Sequence, residues 1–354
     1  MRQSSSHRLP VIPVIETGPD FPYESLLADE QRAHALIDGA TRLTPRPALK
    51  VLDRISRKWL AKWNNLHLAE IDRIANRLGR PGAYFLSVNY EWGCTVGVHA
   101  APNRTSARLT RVLDWRTPGL GRYIIAAKVS GNPGGSFVTM TWPGYTGILQ
   151  AMAPGRFSAA LNQAPMATRG GGIYPLDWMA NKIEVWNTPH PTPAHVLREV
   201  FEKSVNYGEA RLRLIETPIV APAIFSLAGV KADELCIIER MQETAHVHDG
   251  ANAAANAWQA PGWSGREPGR HNSAQRIQDM IGKVVKPGCS MSLDFEWLQP
   301  PILNDRTRLA MLSDAASGKI IAQGYEADGP ATQALELVAL PDAHTLPPQE
   351  KHTL

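Results

Sequence analysis

The chain has 354 residues, of which 44% are hydrophobic, so it is long enough to bury a substantial core as one large domain or two. Its 37 basic and 33 acidic residues form no run that could follow a phosphate backbone, which argues against a nucleic-acid partner. No stretch of about 18 uninterrupted apolar residues occurs, and no apolar run of signal-peptide length precedes the first prolines. We therefore expect a soluble, cytoplasmic protein without stable membrane insertion.

Helices are predicted for most of the first 80 or so residues. The segments are "LADEQRAHALIDGATR", "ALKVLDRISRKWLAKW" and "LHLAEIDRIANRLGRP". In the third segment apolar residues recur at helical spacing, and Gly79 and Pro81 are stop signals.

Short strands follow from about residue 84, separated by Pro, Gly and Asn clusters that include the turn "GNPGGS". This first block reads as an antiparallel meander: "AYFLSVNYE", "CTVGVHA", "ARLTRVLDW", "RYIIAAKVS", "SFVTMTW", "GILQAMA" and "RFSAALNQ". A helical region "PAHVLREVFEKSVNYGEARLRLIE" precedes the strands "AIFSLAG", "LCIIERM" and "AHVHD". The helix "NSAQRIQDMIGK" and the strand pair "TRLAMLSD" and "KIIAQGYE" close the pattern. This order predicts an α+β fold of four layers, with two antiparallel sheets packed face to face between helices.

The three cysteines are Cys94, Cys236 and Cys289, and they show no CxxC spacing. The sequence therefore indicates neither a disulfide framework nor a zinc site. Cys236 lies in an apolar strand and Cys289 follows Pro-Gly, which is typical of an inert core thiol and an ordinary loop thiol. Cys94 directly follows Gly93 at the start of a predicted strand, which makes it the candidate nucleophile.

A hairpin is predicted around the turn signal "PNRTS", with its midpoint between Pro102 and Asn103. That midpoint places Arg111 directly opposite Cys94 in the antiparallel ladder. A buried guanidinium needs an anionic partner, and Asp114 is the near candidate. Such a cluster would lower the pKa of the Cys94 thiol, although a core cysteine beside a structural ion pair fits the spacing as well.

Six segments together resemble the acid ceramidase and N-acylethanolamine acid amidase family of N-terminal nucleophile hydrolases. They are "NYEWGCTVGV", "RLTRVLDW", "RFSAALNQAP", "LREVFEKSVNYGEARLRLIETPIVAPAIFSLAG", "LCIIER" and "AAANAWQAP". The resemblance runs from about Leu66 to about Tyr325, and Glu91 lies within its most specific part.

The resemblance implies an inactive precursor that cuts its own backbone between Gly93 and Cys94. Residues 1–93 would form a helical N-terminal segment, and residues 94–354 the catalytic part, folded together as one unit. The freed α-amine of Cys94 would serve as the base for its own thiol. The enzyme would hydrolyse a linear N-acyl amide through a Cys94 thioester.

By the same resemblance, Arg111 and Asp114 orient the nucleophile and stabilise its charge. Asn256 matches the asparagine whose side-chain NH2 lines the oxyanion hole. A second arginine is expected some dozen residues later, where Arg270 is preferred to Arg266. Where mammalian amidases carry a glutamate, this chain has Gln163, which puts acid-triggered self-cleavage in question.

No metal or cofactor is predicted. His246 and His248 in "HVHD" resemble metal ligands, but alternate residues of one strand without a third ligand cluster favour a solvent-facing position. Two alternatives stay open: an acyltransferase of the penicillin acyltransferase type, and an unprocessed binding or scaffold protein. The expected partner is a small-molecule N-acyl amide, and the sequence leaves homo-oligomer formation open.

Overall fold

The structure is a computed structural model that describes residues 9–42, 44–88, 93–268 and 272–342. The helices are α1 (Phe21–Ala28), α2 (Glu30–Thr41), α3 (Arg46–Lys62), α4 (Leu68–Leu78), α5 (Ala83–Val88), α6 (Tyr174–Asn187), α7 (Pro193–Lys203), α8 (Tyr207–Glu216) and α9 (Ser273–Met280). A π-helical turn, Ile281–Val285, continues α9. The strands are β1 (Val14–Thr17), β2 (Gly93–Ala100), β3 (Ala107–Asp114), β4 (Ile125–Val129), β5 (Phe137–Thr141), β6 (Gln150–Ala153), β7 (Phe157–Gln163), β8 (Ala223–Ala228), β9 (Leu235–Arg240), β10 (Ala245–Asp249), β11 (Asn252–Ala254), β12 (Thr307–Asp314), β13 (Lys319–Glu326), β14 (Gly329–Pro330) and β15 (Leu335–Val338).

The strands form two sheets. The first sheet has the order β1-β4-β5-β6-β7-β8-β9-β10, and the second has the order β11-β2-β3-β12-β13-β14, with β15 also paired to β13. Neighbouring strands are antiparallel except β1 and β4, which are parallel. The predicted meander is therefore wrong in one respect, because β2 and β3 belong to the second sheet and β4 to β7 belong to the first.

The two sheets pack face to face, with β2 and β3 of the second sheet against β7 and β8 of the first. Helices α1, α7 and α8 cover the outside of the first sheet, and α9 with its π turn covers β2 on the outside of the second. One apolar core, which includes Leu109 and Phe225, fills the space between the sheets. Another, which includes Val112 and Met280, lies between the second sheet and α9. The predicted four-layer α+β fold is confirmed.

Gly97 in β2 allows α9 to approach the second sheet closely. A Cβ atom at this position would lie 3.1 Å from the Met280 side chain and 3.1 Å from that of Val285. These distances are shorter than ordinary van der Waals contact, so a larger residue would push the helix outward. The close approach brings the first turns of α9 over the beginning of β2, where Cys94 lies.

Most predicted elements are present, and one has a different type. The segment "AYFLSV", predicted as a strand, forms helix α5, because a short apolar run without alternation is compatible with either structure. The helical region predicted over residues 193–216 is confirmed as α7 and α8, and the side chain of Asn206 caps the second by accepting from the Glu209 amide. Among the described residues, no helix is both long and apolar enough to cross a bilayer.

Candidate active site around Cys94

The β2–β3 hairpin carries the candidate nucleophile, but its register differs from the predicted one. Cys94 pairs with Leu113, and Arg111 pairs with Val96. Arg111 is therefore the diagonal neighbour of Cys94 on the same face, rather than the residue directly opposite.

The turn explains the difference. The last ladder pair is Ala100 with Ala107, so the hairpin is centred one position later than predicted, between Asn103 and Arg104. Arg104 adopts a left-handed conformation with φ of 57°. Turn geometry sets hairpin register, and the sequence signal "PNRTS" does not define the turn to a single residue.

Successive residues of β2 and β3 point to opposite faces of the second sheet, which we call the inner and outer faces. The inner face lies against the first sheet, and it carries Cys94 and Arg111. The outer face lies toward α9, and it carries Asp114, which pairs with Gly93.

On the inner face, Cys94 is fully buried and its Sγ lies 3.8 Å from the carbonyl oxygen of Leu161. The Arg111 guanidinium donates to the same carbonyl oxygen at 2.8 Å and also to Oδ1 of Asn162. The Asn162 Nδ2 group donates to the carbonyl oxygen of Ala255 at 3.0 Å. Asn162 was not identified from the sequence, and it brings a side-chain amide from the first sheet to the site.

The predicted pairing of Arg111 with Asp114 is wrong, because the two side chains lie on opposite faces. The two terminal nitrogens of Arg111 donate to neutral oxygens, and within the described ranges no carboxylate lies within ion-pair distance of the guanidinium. Asp114 instead accepts from Oγ1 of Thr307 at 2.9 Å and lies 3.3 Å from a guanidinium nitrogen of Arg276.

In the described part of the chain, Arg276 of α9 reaches the outer face. It is 1% exposed, and one of its terminal nitrogens donates to the carbonyl oxygen of Cys94 at 2.8 Å and to Oγ1 of Thr95 at 2.9 Å. The other nitrogen donates to Oδ1 of Asn256 at 3.0 Å. One guanidinium thus connects the backbone of Cys94 with a carboxylate and an amide.

Arg270, or else Arg266, was the second site arginine predicted from the sequence. Arg270 lies outside the described residues, and the Arg266 side chain, 40% exposed, donates to the carbonyl oxygen of Gly172. Helical spacing could have indicated Arg276, because Ser273, Arg276 and Met280 form the buried stripe of α9. Glu91 also lies outside the described residues.

Asn256 contacts the backbone nitrogen of Cys94. Its Oδ1 accepts from that nitrogen at 2.9 Å, and its Nδ2 donates to the carbonyl oxygen of Gln163 at 2.8 Å. The predicted proximity of Asn256 to Cys94 is confirmed. In this intact chain, however, the Asn256 NH2 group is bonded to a backbone carbonyl, and the carbonyl group of its amide faces the nitrogen of the predicted cleavage site.

Gly93 is required by a close approach. A Cβ atom at Gly93 would lie 3.2 Å from the Cβ of Asp114 and 3.7 Å from Oδ1 of Asn256. Gly93 begins β2. Glycine at this position leaves space for the side chain of Asp114.

The pKa of Cys94 does not follow the prediction. Burial raises the pKa of the thiol to about 11, against the opposing effect of the Arg111 charge, while Asp114 adds to the increase. The prediction of a lowered pKa is wrong for the intact chain, because full burial outweighs the nearby cations.

The described residues contain no group of three or more His, Cys, Asp or Glu side chains that could hold a metal ion. His248 lies 3.4 Å from the buried carboxylate of Glu239, and His246 packs against His248 and Trp263. Cys236 and Cys289 are buried free thiols, and burial raises the pKa of each. Cys94 is thus the cysteine that lies among buried arginines and asparagines.

Comparison with characterised proteins finds acid ceramidases. The human enzyme is 36% identical over 105 residues, the enzyme of Balaenoptera acutorostrata scammoni 35% and the mouse enzyme 34%. The chain is similar to acid ceramidase. The match covers 29% of this chain, which spans about a quarter, 25%, of the length of these relatives. The predicted resemblance to this family is confirmed over that stretch.

Among solved structures, a Caenorhabditis elegans ortholog of N-acylethanolamine-hydrolyzing acid amidase aligns with a TM-score of 0.49 at 18% identity, over 69% of this chain and 99% of that chain. A mutant conjugated bile acid hydrolase from Clostridium perfringens aligns with a TM-score of 0.42 at 10% identity, over 69% and 92%. No protein-family model matches the chain.

Proposed function

We propose that this chain is an N-terminal cysteine amidohydrolase, which cleaves itself between Gly93 and Cys94 and then hydrolyses an N-acyl amide. The observation that carries the proposal is the bond between Oδ1 of Asn256 and the backbone nitrogen of Cys94 at 2.9 Å. That nitrogen is the atom that cleavage would convert into the catalytic α-amine. The hydrogen-bond acceptor for that amine is therefore in place before cleavage.

In the self-cleavage step, the Cys94 thiol adds to the Gly93 carbonyl carbon and its proton passes to the Cys94 nitrogen. The C–N bond then breaks, which leaves a thioester between Gly93 and Cys94. Water hydrolyses the thioester and releases a carboxylate at Gly93 together with a free thiol and amine on Cys94. Arg276, which donates to the Cys94 carbonyl oxygen at 2.8 Å, would hold this backbone in position through both steps.

In amide hydrolysis, the α-amine of Cys94 would take the thiol proton while sulfur attacks the substrate carbonyl, and would then give that proton to the departing amine. Water completes the cycle by hydrolysing the acyl thioester. Arg111 would stabilise the thiolate, and Asn256 would hold the amine. The similarity to acid ceramidases, which are named for the amide ceramide, supports an N-acyl amide as the substrate.

The decisive experiment follows the length of the chain. Intact-mass measurement and N-terminal sequencing, after incubation from acidic to neutral pH, should find one fragment of about 93 residues and another that begins at Cys94. The Cys94→Ala variant should stay whole, whereas Cys236→Ala and Cys289→Ala should be cleaved like the wild type. A wild-type chain that stays whole and hydrolyses no N-acyl amide would contradict the proposal.

The products distinguish hydrolysis from acyl transfer. With an N-acyl amide of a fluorogenic amine, we expect free fatty acid as the main product even when hydroxylamine is added. Predominant formation of the hydroxamate would instead support the acyltransferase alternative.

A further inference from the structure

A cavity of about 460 Å³ opens beside the proposed cleavage site. Gly93, Asp114 and Arg276 lie at one end of it, and the apolar side chains of Trp115 and Met166 line its walls. Its volume lies in the range of small-molecule sites in proteins, which is about 300–1,000 Å³. The cavity is therefore large enough to hold one part of an amide substrate next to the reacting backbone.

Arginine dominates the charge of this cavity. Among the described residues that line it, four are arginines and two carry carboxylates. One carboxylate, Asp114, is already paired with Arg276 at 3.3 Å. The other carboxylate belongs to Glu267. The other three lining arginines are Arg116, Arg266 and Arg306.

Two of these arginines lie just beyond the ends of neighbouring strands of the second sheet. The amide of Trp115 donates to the carbonyl oxygen of Arg306 at 2.7 Å, which continues the β3–β12 pairing to the rim of the cavity. Arg116 therefore follows the end of β3, and Arg306 directly precedes β12, the neighbouring strand. In the described part of the chain, neither has a carboxylate within ion-pair distance. Two guanidinium groups that line one cavity without a paired carboxylate give it a positive potential, which a bound anion would offset.

Arg266, the third arginine, lies on a different wall of the cavity. Arg266 is fixed by a hydrogen bond to the carbonyl oxygen of Gly172, and its guanidinium lies 5.6 Å from the ring centre of Tyr174. It also lies 3.8 Å from the buried carboxylate of Asp177. Its side chain is 40% exposed, so the group is anchored but still accessible from the cavity.

We propose that the substrate carries a carboxylate on its amine portion, so that it is an N-acyl amino acid rather than a neutral N-acyl amide. Guanidinium groups bind carboxylates through two parallel hydrogen bonds, and Arg116 and Arg306 are the groups available for this. The carboxylate would fix the amine portion in the cavity while the acyl carbon lies at Cys94. This inference rests on the proposed function, since it names the substrate class of the same site.

The test compares two substrates that differ only in charge. N-lauroylglycine carries the carboxylate, and N-lauroylglycinamide is its neutral counterpart of nearly the same size. With the cleaved enzyme, we expect kcat/KM to favour N-lauroylglycine by about tenfold or more, as for a hydrogen bond to a charged group. The preference should decrease with added salt.

Variants of the cavity arginines test whether these side chains cause the preference for the charged substrate. In Arg116→Gln and Arg306→Gln, the ratio of the two kcat/KM values should fall by about threefold, and in the double variant it should approach one. Arg54→Gln is the matched control, because Arg54 is an exposed arginine on α3 that does not line the cavity, and the ratio should not change.

The outcomes separate this inference from the proposed function. Equal hydrolysis of both compounds, or a ratio that neither variant changes, would overturn the inference while the amidohydrolase proposal stands. Absence of hydrolysis of either compound by a chain that also stays uncleaved would overturn both.

Discussion

The inner and outer faces of β2 each hold a buried arginine, and the terminal nitrogens of the two arginines have different kinds of partner. On the inner face, Arg111 donates to neutral oxygens of Leu161 and Asn162. On the outer face, Arg276 has an ion pair with Asp114 and bonds to the Cys94 backbone. The first arginine therefore keeps its net positive charge near the thiol, whereas the second is neutralised and joins the backbone to α9.

The two faces therefore have different roles in the site. A positive charge without a counter-charge favours the thiolate, which is a chemical role. A buried ion pair that also bonds a backbone carbonyl fixes the geometry of the strand, and removing one partner leaves the other charge buried without compensation. The predictions below separate these two roles.

The largest effect is expected at Arg276. Arg276→Met should lower the free energy of unfolding by about 3–5 kcal/mol, because it leaves Asp114 buried without its cation. Urea denaturation of the intact, Cys94→Ala chain measures this loss without interference from cleavage. The matched control is Arg73→Met, which removes a 47% exposed side chain from a surface pair with the 55% exposed Asp20 and should cost under about 1 kcal/mol. Equal losses in the two variants would refute the structural role of Arg276.

The next effect concerns the pH dependence of the inner face. Because the pKa of Cys94 in the intact chain is raised to about 11, the thiolate fraction should increase with pH up to that value. Measured by the ultraviolet absorbance of the thiolate, the ionised fraction of Cys94 should rise roughly tenfold for each pH unit between neutral pH and pH 10. Subtracting the titration of the Cys94→Ala variant from that of intact chain isolated before cleavage separates Cys94 from Cys236 and Cys289. A fraction that already levels off near neutral pH would show that burial does not govern the pKa of the thiol.

The smallest effect is expected for the charge of Arg111. Arg111→Met should slow self-cleavage by about tenfold, because the loss of the cation raises the pKa of Cys94 further, while the more basic thiolate is a better nucleophile and offsets part of the loss. The half-life of the intact chain, followed by mass spectrometry at fixed pH, measures the effect. Arg108→Met on the same strand is the control, since Arg108 pairs with Asp314 away from the thiol. If both variants slow cleavage equally, the effect belongs to strand stability and not to charge.

The sequence alone determined the elements and several of the residues that meet at this site. Alternating strands, glycine and proline stop signals and a helical stripe predicted most of the secondary structure, because these patterns reflect contacts between near neighbours in the chain. Cys94, Asp114 and Asn256 were identified from motifs, and the structure places Asn256 against the backbone nitrogen of Cys94. These predictions depended on local pattern and on resemblance.

Tertiary structure alone decided how the residues face one another. The one-residue shift of the hairpin moved Arg111 from opposite Cys94 to its diagonal neighbour, and strand alternation put Asp114 on the other face. Arg276 reaches that face because α9 packs over β2, and Asn162 reaches the inner face from the first sheet. Contacts between residues so distant in the chain arise from the packing of whole layers, which no local pattern contains, and burial in that packing is also what raises the pKa of Cys94.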